Sequence, residues 1–394
     1  MTLFLRIIYL IAFNILSCLT LVGQDIAIGQ WATHQSYNSA THISESTNKI
    51  YCISSKGLFY INKYDQSMRK LSKNTGLSDF GIKKSAFCQQ TGVVVVVYEN
   101  CNIDLITQNE IVNINDIKRT ELIGEKTINN IFIENKIAYL SCSFGLVLLD
   151  IEKQEIKETY NLIINDDFSQ ITGCTSMNDS LYISTPSGIY RADKNSNLLN
   201  DFNNWSVYDT TKNNLENIVS SNYKILADSS EKIISVSSNS IYFTTTINDS
   251  VFIYDNNLNL TQTITHSLFT ELEYSYVDSD QNIWVADNNN GIMKFTGNSY
   301  MGSYIPNGPV TNQIFSLECF DSELYVCHGG HTNFGNWNNK NGASIKARTG
   351  FWNNYNYYDL DNAKDIVSVA KHNNNIYFSS FYNGVAQIKD GEFF

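Results

Sequence analysis

The sequence predicts an all-β fold, a β-propeller of four-stranded antiparallel blades. Three observations predict it: one two-strand motif recurs along the chain, its copies recur at a period of 43 to 44 residues, and apolar positions alternate within each copy. The alternation has period 2, which excludes helical repeats of similar length.

Each copy reads as a polar turn, a short strand with an aromatic near its centre, a small or polar link, a glycine and a second short apolar strand. In order along the chain these are KIYCISSKGLFYI (49–61), KIAYLSCSFGLVLLD (136–150), SLYISTPSGIY (180–190), NIWVADNNNGIMKF (282–295) and NIYFSSFYNGVAQI (375–388). A degenerate copy, VVVYENCNIDLI (95–106), carries Cys101 where the glycine belongs. The anchors Gly57, Cys101, Gly145 and Gly188 are 44, 44 and 43 residues apart, and the steps to Gly291 and Gly384 are 103 and 93, each about two further periods. The two missing anchors are expected near Tyr242 and Tyr325. Eight positions fit seven blades and the start of a second propeller, or alternatively one eight-bladed ring.

The glycine is expected to be structural, because a tight hairpin needs a residue tolerant of positive φ or of close backbone approach. The central aromatics Tyr51, Tyr139, Tyr182, Trp284 and Tyr377 are expected to be buried between neighbouring sheets. Only 3 prolines occur, in keeping with a chain committed to hydrogen-bonded ladders.

Residues 1–23 read as a secretory signal peptide: Arg6, then an apolar run from Ile7 to Val22, then Gly23 and Gln24. No later stretch reaches the roughly 20 apolar residues of a membrane-spanning helix, so the mature chain is expected to be exported, to the periplasm or the outer surface, without a transmembrane span. A lipoprotein reading of Cys18 places the cysteine inside the apolar run instead of after it. Removing Arg6 takes the net charge from −12 to −13, and the basic residues do not cluster beyond pairs such as Lys83 and Lys84, which argues against nucleic acid as a partner. The propeller is expected over 24–350, with 351–394 as closing strands or the opening of a second, truncated propeller.

Seven cysteines follow the signal peptide: Cys52, Cys88, Cys101, Cys142, Cys174, Cys319 and Cys327. None forms a C-x-x-C pair, so buried free thiols are expected, with a Cys319–Cys327 disulfide across a hairpin left open. The contiguous catalytic strings of hydrolases, zinc proteases and nucleotide-binding enzymes are missing, and no enzyme, cofactor or metal is predicted. Two short stretches invite a metal and receive structural readings. His328 and His331 flank a Gly-Gly hairpin without a completing carboxylate, and Asp278, Asp280 and Asn282 lack the glycine and distal glutamate of a calcium loop. The segment 331–358 is rich in Asn, Gly and aromatics. It supplies the candidate ligand-binding residues Phe334, Trp337, Trp352 and Tyr355, since stacking aromatics with amide donors suit a polysaccharide, while the alternative role is to complete a blade.

Several strings in fixed order resemble the PorZ family of the bacterial type IX secretion system, in its N-terminal propeller region. They are GQWATHQSY (29–37), GLSD (76–79), YENCNIDLI (98–106), NINDIK (113–118), FGLVLLD (144–150), YIPNGPVTN (304–312) and the pair Gly329 and Gly330. The resemblance implies a non-catalytic cell-surface scaffold that works beside a sortase-like partner, PorU, and handles anionic lipopolysaccharide. It also implies a second propeller and a sorting domain, which this sequence, ending at Phe394, does not carry, so the front part of a longer protein is expected. Two other classes compete. The string NIWVAD (282–287) also resembles periplasmic sensor propellers of hybrid two-component regulators, and a propeller glycosidase or lyase would bring two carboxylates to the channel mouth.

Overall fold

The computed structural model describes residues 31–54, 57–122, 124–164, 167–168, 170–177, 179–209, 233–238, 241–255, 257, 259–389 and 392–393. The expected signal peptide, with Arg6 and Cys18, lies outside the described residues. Among the described residues, eight four-stranded antiparallel sheets follow one another, each a meander in which a strand pairs with the next in sequence. They are blade 1 (40–71), blade 2 (82–114), blade 3 (128–160), blade 4 (173–209), blade 5 (233–265), blade 6 (272–304), blade 7 (316–355) and blade 8 (366–393).

The sequence motif is the second and third strand of each blade. In blade 1 the strand Lys49–Ser54 pairs with Gly57–Asn62, Cys52 opposite Phe59. Gly57, Gly145, Gly188, Gly291 and Gly384 each open a third strand. The reason is plainest at Gly145, where φ is +139° and an added Cβ would stand 2.2 Å from the carbonyl oxygen of Tyr160 on the neighbouring strand. Cys101 occupies the equivalent turn with φ of 62°, a left-handed conformation held without glycine. The missing anchors fall where expected: Tyr242 opens the second strand of blade 5, and Tyr325 sits in Glu323–Cys327, the second strand of blade 7.

Two compact units divide the chain. Among the described residues, 36–306 hold blades 1 to 6, and 307–393, together with 31–35, hold blades 7 and 8. Blades 7 and 8 share one compact unit. A sequence period counts blades but carries no record of which blades are neighbours.

Apolar clusters between successive blades form the core of the larger unit. Tyr51, Ile53 and Leu58 meet Val94, Val96 and Tyr98 between blades 1 and 2. Val95 and Ile103 meet Ala138 and Val147 between blades 2 and 3, and Leu146 and Leu148 meet Leu181 and Ile183 between blades 3 and 4. Val251 and Ile253 meet Val285 and Phe295 between blades 5 and 6. The first and sixth blades meet as well: Ile43, Cys52 and Phe59 pack on Trp284, Ala286 and Ile292, and the Gly291 N–H donates to the Asn38 carbonyl at 2.6 Å. That contact joins the two ends of the six-blade series. Among the described residues no cluster joins blade 4 to blade 5.

Of the motif aromatics, Tyr51, Tyr182 and Trp284 are buried as expected, whereas Tyr139 and Tyr377 are half-buried. All seven described cysteines are free thiols. Six are buried and Cys319 is exposed, and burial pushes the Cys327 thiol up to about 11. Among the described residues, no helix is long and apolar enough to cross a membrane.

Candidate binding surface

The four aromatics singled out in the sequence divide between two environments. Phe334 is fully exposed (100%) at the tip of a tight turn in which the Thr332 N–H donates to the Gly335 carbonyl at 2.7 Å. Trp337, 45% exposed, stands beside it in sequence and meets Phe315 edge-on with centroids 6.0 Å apart. Trp352 and Tyr355, by contrast, belong to the fourth strand of blade 7, Trp352–Tyr355. Trp352 is only 6% exposed and its ring lies 5.6 Å from that of His34, while Tyr355 packs against the cluster between blades 7 and 8. Trp352 is thus covered within the fold, whereas Phe334 and Trp337 face outwards.

Phe315, His331 and Phe381 join Trp337 in a continuous aromatic surface. The His331 ring stacks on Phe381 at 4.5 Å with an 11° tilt and lies 5.2 Å from Phe315. Phe381 comes from blade 8, 50 residues after His331, and no local sequence signal pairs them. The Gly-Gly pair explains how the surface is built. A Cβ on Gly329 would stand 2.2 Å from the Ile366 nitrogen of blade 8, and one on Gly330 would stand 1.9 Å from the Trp337 indole. Each glycine admits a close approach that any side chain would block.

The two histidines of this loop have separate roles. His328 is fully buried, with Nδ1 2.7 Å from the Gln313 carbonyl oxygen and Nε2 2.8 Å from Ser344 Oγ. Burial lowers its pKa, partly offset by the hydrogen bond to Gln313. Both ring nitrogens of His328 are thus engaged within the fold, and among the described residues no group of three or more candidate ligands could hold a metal ion.

The Asp278 segment is a turn, as read from the sequence. Its Oδ1 accepts the N–H groups of Asp280 at 2.9 Å and Asn282 at 2.7 Å, and its Oδ2 accepts Trp284 Nε1 at 2.8 Å. Other buried carboxylates work in the same way. Asp287 accepts the N–H groups of Thr270, Glu271, Asn289 and Asn290, and Asp365 those of Asn338 and Asn339. These carboxylates are engaged as acceptors for turns.

Three of the strings that carried the family resemblance converge on blade 2. Asp104, buried, accepts the Ser78 N–H at 2.8 Å, the Tyr98 hydroxyl at 2.5 Å and Asn113 Nδ2 at 2.9 Å. Asp79 accepts Lys118 Nζ at 2.5 Å and Asn100 Nδ2 at 2.6 Å. Burial pushes the Asp79 carboxyl up, but the bonds from Lys118 and Asn100 outweigh it and hold the pKa at about 2. The network ties the loop after blade 1 and the helical turn Asp116–Arg119 to the blade between them.

Comparison with known proteins follows the same stretch of chain. Residues 50–206 match the family described as the type IX secretion system PorZ N-terminal β-propeller domain. Among solved structures, PorZ of Porphyromonas gingivalis, described as an essential bacterial surface component of the type IX secretion system, superposes with a TM-score of 0.75 at 16% identity, covering 93% of this chain and 52% of that one. The chain therefore spans about half the length of that relative. The extracellular domain of a putative hybrid two-component system from B. thetaiotaomicron gives a TM-score of 0.49 at 14% identity, with 93% and 53% covered. No curated protein sequence matches. The resemblance to the PorZ N-terminal propeller and the propeller fold itself are both borne out.

Proposed function

We propose that this chain is a non-catalytic component of a type IX secretion system, exported to the periplasm or outer surface, where it serves as a scaffold for anionic lipopolysaccharide or for a sortase-like partner of the PorU kind. The observation that carries the reading is the match of residues 50–206 to the PorZ N-terminal propeller, with a fold that follows PorZ over most of the chain. The engagement of the buried carboxylates Asp104, Asp278, Asp287 and Asp365 in structural hydrogen bonds supports a binding role over a hydrolytic one.

The contact surface in this reading is the aromatic face at Phe334 and Trp337, with Phe315, His331 and Phe381 behind it. Large exposed rings on a rigid sheet scaffold suit both a glycan face and a protein hot spot. The net charge of −12 means that an anionic glycan must be held locally, by stacking and hydrogen bonding more than by bulk attraction.

An affinity-tagged chain recovered from cells with an active type IX system tests the proposal. The unmodified chain is expected to retain the sortase-like partner or anionic lipopolysaccharide, and the double variant Phe334→Ala, Trp337→Ala to lose it while keeping its melting temperature. Equal recovery by both chains would remove the aromatic face from the reading, and recovery of neither ligand by the unmodified chain would sink the reading itself.

A further inference from the structure

The first strands of the blades share an irregularity whose charged members the fold leaves unmatched. In blade 1, Ala40 pairs with Ser54 and His42 with Ile53, so Thr41 is an extra, unpaired residue. The same register shift leaves Lys83 unpaired in blade 2, Asn129 in blade 3 and Glu273 in blade 6, and another falls between Ile233 and Ser235 in blade 5. Each lies opposite the last residue of a second strand, at the end of the blade where the hairpin to the third strand begins. Such a bulge re-aims a side chain, and bulges gather at barrel rims and beside functional sites.

The first strands also meet one another. His42 Nε2 lies 3.0 Å from the Ser85 carbonyl oxygen, Lys84 Nζ lies 3.4 Å from Asn130 Oδ1, and the His42 ring lies 4.5 Å from that of Tyr274. Glu273, Thr41, Lys83 and Asn129 therefore follow one another along one rim, on blades 6, 1, 2 and 3. Thr41 is exposed, and Asn129 Nδ2 donates to the Ile171 carbonyl at 2.8 Å. The two charged members differ from these. Both are half-buried, and among the described residues neither Lys83 nor Glu273 has a hydrogen-bond or ion-pair partner. Burial and then the Lys84 charge lower the pKa of Lys83, while burial and then Glu271 and Asp287 raise that of Glu273. Each group keeps its charge at a cost that an opposite charge from outside would relieve.

Two further features select the ligand. The charges are opposite in sign and stand on blades separated by blade 1, so one occupant must carry a cation at one end and an anion at the other. Between them, each first strand is paired along one edge only, with the second strand of its own blade, and the other edge offers backbone groups to an extended chain. A peptide with free ends meets both conditions. We infer that this rim binds a short oligopeptide, with its amino terminus on Glu273, its carboxylate on Lys83 and its backbone along the open edges of the first strands. The inference goes beyond the proposed function and uses none of the aromatic face.

Saturation-transfer NMR on the purified chain, with free alanine and its peptides up to the hexamer, tests the inference. Transfer is expected to one or more of the longer peptides and not to alanine, which is too short to reach both charges. Acetylation of the amino terminus should weaken the best peptide about tenfold, and amidation of its carboxylate likewise, because each removes one charge-assisted pair. In Glu273→Gln the unmodified peptide should bind about tenfold more weakly and acetylation should weaken it no further, and Lys83→Met should do the same for amidation. Lys136→Met, which removes an exposed lysine paired with Glu152, should leave binding unchanged, and an unchanged melting temperature verifies the fold of each variant. Equal transfer to alanine would make the rim a site for small zwitterions and overturn the peptide. Penalties for blocked ends that persist in Glu273→Gln and Lys83→Met would place the contacts elsewhere and overturn the assignment. Absence of transfer to every peptide would overturn the site and leave the proposed function standing.

Discussion

Blades 6 and 8 carry the same motif and treat its aromatic differently. Trp284 in NIWVAD is buried against blade 1 and anchored to Asp278, whereas Tyr377 in NIYFSS, at the same point of its second strand, stays half-buried. The hairpin is alike in both, so the hairpin does not bury the ring. A neighbouring blade does. Trp284 has described partners from a second blade, Ile43 and Phe59, and Tyr377 lies outside the apolar cluster that blade 8 shares with blade 7.

The comparison can be broken most forcefully at Trp284. Trp284→Ala is expected to cost about 4 kcal/mol, combining a large cavity with the loss of a hydrogen bond to the buried Asp278 carboxylate. Tyr377→Ala should cost about 1 kcal/mol. Denaturant unfolding of the two variants measures the difference, and equal losses would show that burial at this position is set within the hairpin after all.

The next effect in size is expected at the hairpin glycine. Gly145→Ala places a Cβ against the Tyr160 carbonyl at a positive φ, and about 2–3 kcal/mol is expected. Gly297→Ala, also at positive φ but with nothing within 4 Å of the added carbon, should cost about 1 kcal/mol. Similar shifts in unfolding midpoint would mean that conformation alone, without close approach, explains the recurrent glycine.

The contact between blades 6 and 1 also has a pH dependence. His42 lies 4.5 Å from the Tyr274 ring of blade 6, and its Nε2 is 3.0 Å from the Ser85 carbonyl of blade 2. Burial first, and then the nearby Lys84 charge, depress its pKa to about 4. A depressed histidine favours the neutral ring in the fold, so its contribution is complete above the unfolded value of about 6.5 and is lost as pH falls towards 4. The loss should be on the order of 2 kcal/mol, allowing for partial exposure of the ring. Unfolding free energies of the native chain and of His42→Phe, measured from pH 7.5 to 4, isolate this contribution from that of the carboxylates. Parallel curves would place the acid sensitivity elsewhere.

These contrasts explain how far the sequence could be read. The strands and turns were legible because period-2 alternation and the anchors from Gly57 to Gly384 are local signals, and even the missing anchors fell at Tyr242 and Tyr325. Adjacency of sheets was not legible: nothing within a 44-residue repeat says that Ile43 packs on Trp284, 241 residues later. The proposed aromatic face was half legible for the same reason. Phe334 and Trp337 stood out by composition, but Trp352 is equally aromatic and is covered by its own fold, and Phe381 enters the surface from another blade.

The smallest stability effect bears most directly on function. Trp337→Ala should change the unfolding free energy by no more than about 0.5 kcal/mol, because nearly half of the ring already faces solvent. Gly330→Ala keeps every exposed ring in the sequence but puts a methyl where the Trp337 indole rests, so the ring must move. If the aromatic face binds as one surface, Gly330→Ala should weaken ligand retention about as much as Trp337→Ala does, and tryptophan fluorescence should report the displacement. Retention that survives Gly330→Ala but not Trp337→Ala would mean that the indole acts singly, without the support of Phe315, His331 and Phe381, and would reduce the proposed surface to one contact on a loop.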